Sequence, residues 1–118
     1  MRYNNTIKTL IASIEPYGPE RIYLFGSWAR DEQDDTSDID IVLIKETNNS
    51  FFERLKEIVP YMAGINRAID ILIYTPQEFQ KMLEEGNVFA EMIQEEGVII
   101  YEKKRGRGEK VVNYFDCL

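Results

Sequence analysis

Two aspartates one residue apart, Asp38 and Asp40, stand at the start of an apolar run. Alternate side chains of a β-strand project from the same face, so this pattern predicts a strand over 38–44 with both carboxylates on one side. Two ionised carboxylates this close repel each other, and aspartate is uncommon inside strands. The pattern therefore favours a buried strand whose first residues open onto a cleft, where solvent or a divalent cation separates the charges. The alternative is a solvated loop that enters the strand, because Asp34 and Asp35 lie just upstream.

Helical and strand-like segments alternate along the rest of the chain. Apolar spacing and capping signals predict helices over 3–15, 51–62, 75–84 and 88–94, and a short helix from Ser27. Short apolar runs predict further strands over 21–25, 68–74 and 97–101. Apolar strands of this kind are usually covered by helices on at least one face. We therefore expect an α/β (α+β) fold with a small mixed sheet of about four strands.

The length and the charge distribution limit the class of protein. A chain of 118 residues is one domain of ordinary size, and we expect it over 1–101 with a charged, flexible tail over 102–118. The net charge is −7, and the tail carries five basic and three acidic residues, which leaves the body strongly acidic. An acidic body lacks the basic footprint of a nucleic-acid-binding protein and favours a basic protein partner.

The remaining composition excludes several kinds of site. Histidine is absent, which excludes histidine-based triads and most zinc sites. The single cysteine, Cys117, has no internal partner for a disulfide. We find no signal-peptide pattern and no apolar run long enough to cross a membrane. These observations predict a cytoplasmic protein without a membrane contact.

A glycine–serine step, Gly26-Ser27, follows the predicted strand over 21–25. Glycine lets a phosphate approach the backbone, and the N–H groups of a helix start and a serine hydroxyl can donate to phosphate oxygens. A plain strand-to-helix turn is the alternative. Arg30 lies one helical turn beyond Ser27, where its guanidinium can bind phosphate or pair with the acidic loop that follows.

A third carboxylate, Asp70, interrupts the apolar run over 68–74. If this strand pairs beside the strand over 38–44, Asp70 can complete a metal site or accept a proton from a nucleophile. The alternative is a buried aspartate paired with an arginine such as Arg67. Nearby aromatic side chains can stack on a base, but core packing is the favoured role for them: Tyr23, Phe25 and Trp28.

The string LFGSWAR over 24–30, the aspartate pair over 38–40 and Asp70 in a later strand resemble the minimal nucleotidyltransferases of the polymerase-β-like superfamily. The resemblance covers residues 20–75 directly. It implies a polymerase-β-like nucleotidyltransferase fold and an enzyme that transfers a nucleotidyl group.

The resemblance also implies a role for each site residue. In that family the glycine–serine turn, here Gly26 and Ser27, holds the triphosphate of ATP. The paired aspartates, here Asp38 and Asp40, bind two Mg²⁺ ions. The third acid, here Asp70, assists the attacking hydroxyl and shares a metal. Two-metal catalysis lowers the pKa of an attacking group and stabilises the leaving pyrophosphate.

Minimal members are often antitoxins encoded beside HEPN-domain RNase toxins, and some transfer AMP from ATP to a tyrosine of that toxin. The resemblance implies the same reaction here, within a hetero-complex. Two alternatives are an antitoxin that neutralises its toxin by occlusion alone and a small-molecule nucleotidyltransferase whose partner supplies a second domain. Asp31 departs from the family, which often has glycine there, and adds negative charge near the proposed phosphates.

Overall fold

The computed structural model describes residues 4–34, 36–104 and 110–112, with side chains over 5–34 and 36–103. Cys117, Asp35, Tyr3 and much of the predicted tail lie outside the described residues. The helices are α1 Asn4–Ile14, α2 Gly26–Ala29, α3 Phe51–Ile58, α4 Pro76–Glu84 and α5 Val88–Glu96. The strands are β1 Arg21–Phe25, β2 Ile39–Ile44, β3 Ile69–Tyr74, β4 Val98–Lys104 and β5 Lys110–Val112. Short 3₁₀ turns, Glu15–Tyr17 and Val59–Met62, follow α1 and α3.

The five strands form one mixed sheet in the order β3-β2-β1-β4-β5. The pair β2–β3 is parallel and every other pair is antiparallel. The mixed sheet and the four predicted strands are confirmed. The short β5 is an addition, and it lies with the end of β4 inside the segment predicted to be a flexible tail. Flexibility of the rest of that segment stays a prediction.

Helices cover both faces of the sheet, so the apolar side chains form two layers. One layer packs α1 and α3 against β1 and β2, and its fully buried members include Ile7, Leu10, Leu24, Ile41 and Ile58. The other layer packs α4 and α5 on the opposite face, through Tyr23, Val42, Phe79, Ala90 and Ile93. Because side chains alternate along β2, Asp40 lies on the same face as Val42, on the side of α4 and α5. No helix in the described ranges is both long and apolar enough to cross a lipid bilayer.

The inward face of the helix predicted over 51–62 is confirmed only in part. The apolar spacing places five side chains on that face: Phe52, Leu55, Ile58, Val59 and Met62. Ile58 is buried, and Leu55 and Met62 pack against the core, but Phe52 and Val59 are exposed. Arg54 takes an inward position instead and is buried. Its guanidinium donates to Glu78 of α4 at 2.7 and 3.2 Å and to the carbonyl oxygen of Ile73 at 3.0 Å. A buried arginine is tolerated here because its donors are satisfied by a carboxylate and by backbone oxygen.

Two capping boxes fix the starts of helices that flank β3. Thr75 and Glu78 form the box at the start of α4, with Pro76 at its first helical position, as the sequence predicts. Ser50 and Glu53 form a second box at the start of α3. Each box satisfies backbone N–H groups that a helix start leaves unpaired, so the boxes fix the connection from β2 to α3 and the connection from β3 to α4.

Candidate functional site

Two strand registers bring the three sequence motifs together. In the antiparallel pair β1–β2, Phe25 lies opposite Asp40, so Gly26 follows directly beside that aspartate. In the parallel pair β2–β3, Asp40 lies opposite Asp70. From the sequence, Asp70 joins the aspartate pair only if its strand lies beside the strand over 38–44. The structure confirms that these two strands, β3 and β2, pair. Gly26, Asp40 and Asp70 are therefore neighbours although long stretches of chain separate them.

Gly26 occupies a position that only glycine fills without strain. Its φ is +73°, in the left-handed region that L side chains rarely adopt. A Cβ at this position would also collide with the carboxylate of Asp40. The absence of a side chain at Gly26 therefore makes room for the carboxylate of Asp40 against the turn between β1 and α2. Backbone next to a carboxylate suits a phosphate when a cation lies between the phosphate and the carboxylate.

Asp40 is the electrostatic centre of the site. Burial, a side-chain hydrogen bond with Asp70 and the negative charges of Asp70 and Asp38 together raise the pKa of Asp40 to about 6. The positive charge of Arg30 lowers that pKa in part. Because a hydrogen bond between two carboxyl groups needs a proton on one of them, the pair is poorly accommodated when both are ionised. A cation between them would replace that proton.

Asp38 and Asp70 flank Asp40 at the surface. Asp38 lies one residue before β2, and both it and Asp70 are exposed. The exposure of Asp70 contradicts the alternative of a buried aspartate paired with Arg67. The guanidinium of Arg67 lies over the ring of Trp28, 5.1 Å from its centre. Across the described ranges, no three acidic or cysteine side chains stand close enough to cage a metal as they are. The donor set still fits Mg²⁺, which binds one or two carboxylates together with substrate phosphates.

A cavity of about 500 Å³ opens beside Asp40 and Gly26. Its lining comes from the end of β1, from α2, from β2 and from α5: Phe25, Gly26, Ala29, Arg30, Asp40, Met92 and Glu96. Sequence reasoning missed the contribution of α5, since Met92 and Glu96 match no motif and their helix reads as ordinary core packing. Phe25 lines the cavity and also meets Phe89 edge-on at 5.7 Å between ring centres. Trp28 and Tyr23 are core residues, as favoured.

The remaining predicted residues fall around this cavity. Ser27 is half-buried in α2, directly after Gly26. Arg30 is exposed, and its guanidinium pairs with Glu32 of the loop that follows α2 at 3.3 Å. Asp34 instead accepts hydrogen bonds from Thr36, at 2.8 Å for both its backbone N–H and its hydroxyl. Asp34 therefore stabilises the loop before β2 and is not part of the group formed by Asp38, Asp40 and Asp70.

Comparison with known proteins gives one family and one fold. Residues 5–106 match the family described as polymerase beta, nucleotidyltransferase. A protein of Methanocaldococcus jannaschii named a "putative protein adenylyltransferase" is 30% identical over 74 residues, which are 63% of this chain and 80% of that protein. A crystal structure of a "putative nucleotidyltransferase" from Sulfolobus solfataricus has 21% identity and a TM-score of 0.61 over 89% of this chain and 85% of that chain. This second likeness shows the fold alone, and it agrees with the fold that the resemblance predicts.

A further crystal structure, described as a toxin–antitoxin with AMP-PNP, is 20% identical to this chain. It covers 84% of this chain and 73% of its own, with a TM-score of 0.49. A likeness this low leads to no conclusion about the fold or the function.

Gly26→Ala tests the close approach of the turn to Asp40. We expect a loss of about 1–3 kcal/mol in the free energy of unfolding, because alanine is strained at positive φ and its Cβ displaces the carboxylate. Urea denaturation measures the loss. Gly64→Ala is the matched control, since a Cβ there meets no atom within 4 Å. Equal stability of the two variants would contradict the geometry of the turn.

Asp40→Asn tests the crowding of the carboxylates in metal-free protein. A raised carboxyl pKa lowers the stability of the fold as pH rises from the ordinary aspartate value of 3.8 to about 6, and the penalty is complete above that. At pH 8 we therefore expect the free energy of unfolding of Asp40→Asn to exceed that of the unsubstituted protein by about 1 kcal/mol after solvent screening. At low pH this difference should disappear.

Asp34→Asn is the matched control for this measurement. Hydrogen bonds from Thr36 and Ser37 lower the pKa of Asp34, so neutralising it removes a favourable charge and gives no gain in stability. Magnesium should raise the unfolding temperature of the unsubstituted protein more than that of Asp40→Asn. An Asp40→Asn variant that is less stable than the unsubstituted protein at pH 8 would show that the carboxylates are not in conflict.

Proposed function

The chain belongs to the polymerase beta nucleotidyltransferase family, and on that premise we propose that it transfers AMP from ATP to a tyrosine hydroxyl of a partner protein. We take the partner to be a HEPN-domain RNase toxin that the reaction silences in the cytoplasm. One observation carries the proposal: a glycine turn and crowded carboxylates, Gly26 with Asp40 and Asp70, meet beside a single cavity.

The turn and the cavity suit a nucleoside triphosphate. Gly26 contributes backbone without a side chain to the cavity wall, and Ser27, the next residue, carries a hydroxyl that can donate a hydrogen bond to a phosphate oxygen. Arg30 lines the same cavity with a guanidinium that pairs with phosphate in a bidentate manner. The apolar side chains of Phe25 and Met92 on the cavity wall suit the base. These residues would orient the α-phosphate toward the carboxylates.

The carboxylates suit a divalent cation. We assign Asp38, Asp40 and Asp70 as ligands of two Mg²⁺ ions. Each is a hard oxygen donor, and the three lie together at the N-terminal ends of β2 and β3. When bound, magnesium lowers the pKa of the acceptor hydroxyl and offsets charge on the leaving pyrophosphate. Burial and the neighbouring carboxylates raise the pKa of Asp40, and a cation would relieve the repulsion between those carboxylates, which supports this assignment.

The transfer itself is an in-line displacement. The acceptor oxygen forms a bond to the α-phosphorus of ATP while the bond from that phosphorus to the bridging oxygen breaks, and pyrophosphate leaves with the electron pair. The proton of the acceptor hydroxyl passes to the exposed carboxylate of Asp70, which releases it to solvent. Arg30 stabilises the negative charge that is redistributed on the phosphates.

Three features support a protein as the acceptor. The described residues form one sheet and the helices that cover it, with no second domain among them to hold a small acceptor. The Methanocaldococcus jannaschii relative is named for protein adenylyltransfer. The net charge of −7 further suits a basic partner surface, of the kind that an RNA-cleaving protein presents.

Occlusion without catalysis is the second candidate, and Asp31 favours it. Asp31 has a φ of +55°, which explains why the family often has glycine at this position. Its exposed carboxylate adds negative charge one residue after Arg30, next to the place assigned to phosphate. An antitoxin that only binds its toxin would tolerate this charge.

Asp70→Asn tests the enzymatic role. We expect the protein to label the HEPN partner when it is given ATP radiolabelled at the α-phosphate and Mg²⁺. Asp70→Asn should lower the rate about 100-fold or more, because it removes the proton acceptor, while the unfolding temperature does not fall. Asp34→Asn is the control and should label at the normal rate. An unchanged rate in Asp70→Asn would remove Asp70 from the mechanism.

Substitution of both Asp38 and Asp40 by alanine distinguishes transfer from occlusion. Under the proposed function this double variant binds the partner but no longer protects cells from it at native expression levels. Full protection by the double variant would instead establish occlusion as the function.

A further inference from the structure

The strand that carries Asp70 is an outer strand of the described sheet. Only one side of β3 pairs with its neighbour β2, where the N–H groups of Ile39 and Lys45 donate to the carbonyl oxygens of Ala68 and Tyr74 at 3.0 and 2.9 Å. Backbone groups in a parallel ladder alternate along the strand. The odd-numbered residues of β3, which are Ile69, Ile71 and Ile73, therefore direct both N–H and C=O away from β2.

One end of this outer edge is already closed. The carbonyl oxygen of Ile73 accepts a hydrogen bond from Arg54 at 3.0 Å. The N–H of Thr75, two residues on, donates to the carboxylate of Glu78 at 2.8 Å. Among the described residues, no hydrogen-bond partner faces the outward groups of Ile69 and Ile71. The open stretch of the edge is thus the part that flanks Asp70.

This open stretch lacks the devices that usually protect a sheet edge. Natural edge strands carry lysine, proline or a bulge, which prevent another strand from adding to them. β3 has the sequence IDILIY, and its register with β2 is regular over all its pairs. Its one charged residue is Asp70, which the proposed function assigns to the metal site with Asp38 and Asp40. An unprotected edge is a liability unless the protein uses it.

We propose that the outer edge of β3, at Ile69 and Ile71, binds an extended segment of the protein substrate as an added strand, and that this pairing delivers the acceptor hydroxyl to Asp70. The proposal rests on the proposed function in taking a protein as the acceptor. Only an extended polypeptide offers the alternating N–H and C=O groups that satisfy this edge. The continuity of the edge with Asp70 identifies the segment as the one that is modified.

The spacing of strands in a sheet fits this delivery. An added strand lies about 4.8 Å from β3, and the Cβ of the residue opposite Asp70 lies about 5 Å from the Cβ of Asp70 on the same face. The acceptor side chain then projects toward the face that carries Asp40. Negative charge at Asp38, Asp40 and Asp70 favours basic residues beside the acceptor in that segment.

Ile71→Pro tests the pairing, with Ile71→Ala as the matched control. Proline removes the outward N–H without touching the ladder to β2, and edge strands tolerate it. Both variants lose the isoleucine side chain, so their comparison isolates the backbone. We expect Ile71→Pro to label the HEPN partner at least tenfold more slowly than Ile71→Ala, with ATP affinity by calorimetry equal within twofold. Equal labelling rates would overturn the proposal.

Hydrogen–deuterium exchange on the unsubstituted protein gives a second test that does not depend on how the variants fold. Alone, the amides of Ile69 and Ile71 should exchange much faster than those of Asp70 and Leu72, which face β2. In the saturated complex with the partner, carrying its acceptor tyrosine, the exchange of Ile69 and Ile71 should slow at least tenfold. Unchanged exchange of both amides in that complex would overturn the proposal.

These two tests separate the docking proposal from the proposed function. If the unsubstituted protein transfers no label to the partner, the proposed function is wrong, while the exchange measurement still decides whether the edge is bound. If label is transferred but the edge amides stay unprotected, the function stands and the docking mode is wrong.

Discussion

The register of β2 against its two neighbours is the constraint on which the site depends. Pairing with β1 places Asp40 opposite Phe25 and hence beside Gly26, and pairing with β3 places it opposite Asp70. A shift of one residue in either pair would turn the relevant side chains to the other face of the sheet. Two well-packed apolar layers hold this register, since β2 is buried on both faces beyond Asp40. The core thus fixes positions that electrostatic repulsion alone would separate.

Under the proposed function, this arrangement prepares the site for its ligands. Burial, a hydrogen bond with Asp70 and the charges of Asp70 and Asp38 raise the pKa of Asp40, and the same crowding would favour a bound cation. The family to which the chain belongs transfers nucleotidyl groups, a reaction in which such a cation also meets phosphate. Under the proposed function, binding of that cation offsets the repulsion between like charges at the strand end.

Local patterns in the sequence were sufficient for the strand elements and for most of the proposed site. Asp38 and Asp40 at the start of an apolar run, and Asp70 within another, are visible without a structure because charges are rare in buried strands. The parallel pairing that joins them was not visible, because register depends on contacts between distant segments.

The errors and omissions have the same origin. The apolar spacing of α3 predicted that Phe52 faces the core, but Phe52 is exposed. Arg54 is buried instead, because Glu78 of another helix accepts hydrogen bonds from its guanidinium. Met92 and Glu96 reach the cavity only through the packing of α5 on the sheet. Periodicity counts apolar residues within one element, so it does not detect a polar residue whose partner lies in another.

A crystal structure with Mg²⁺ and an ATP analogue that cannot be cleaved between the α- and β-phosphates would test the proposed site directly. We expect the phosphates at Gly26 and a metal about 2.1 Å from carboxylate oxygens of Asp38, Asp40 and Asp70. An analogue bound elsewhere, with those carboxylates free of metal, would contradict the proposed site.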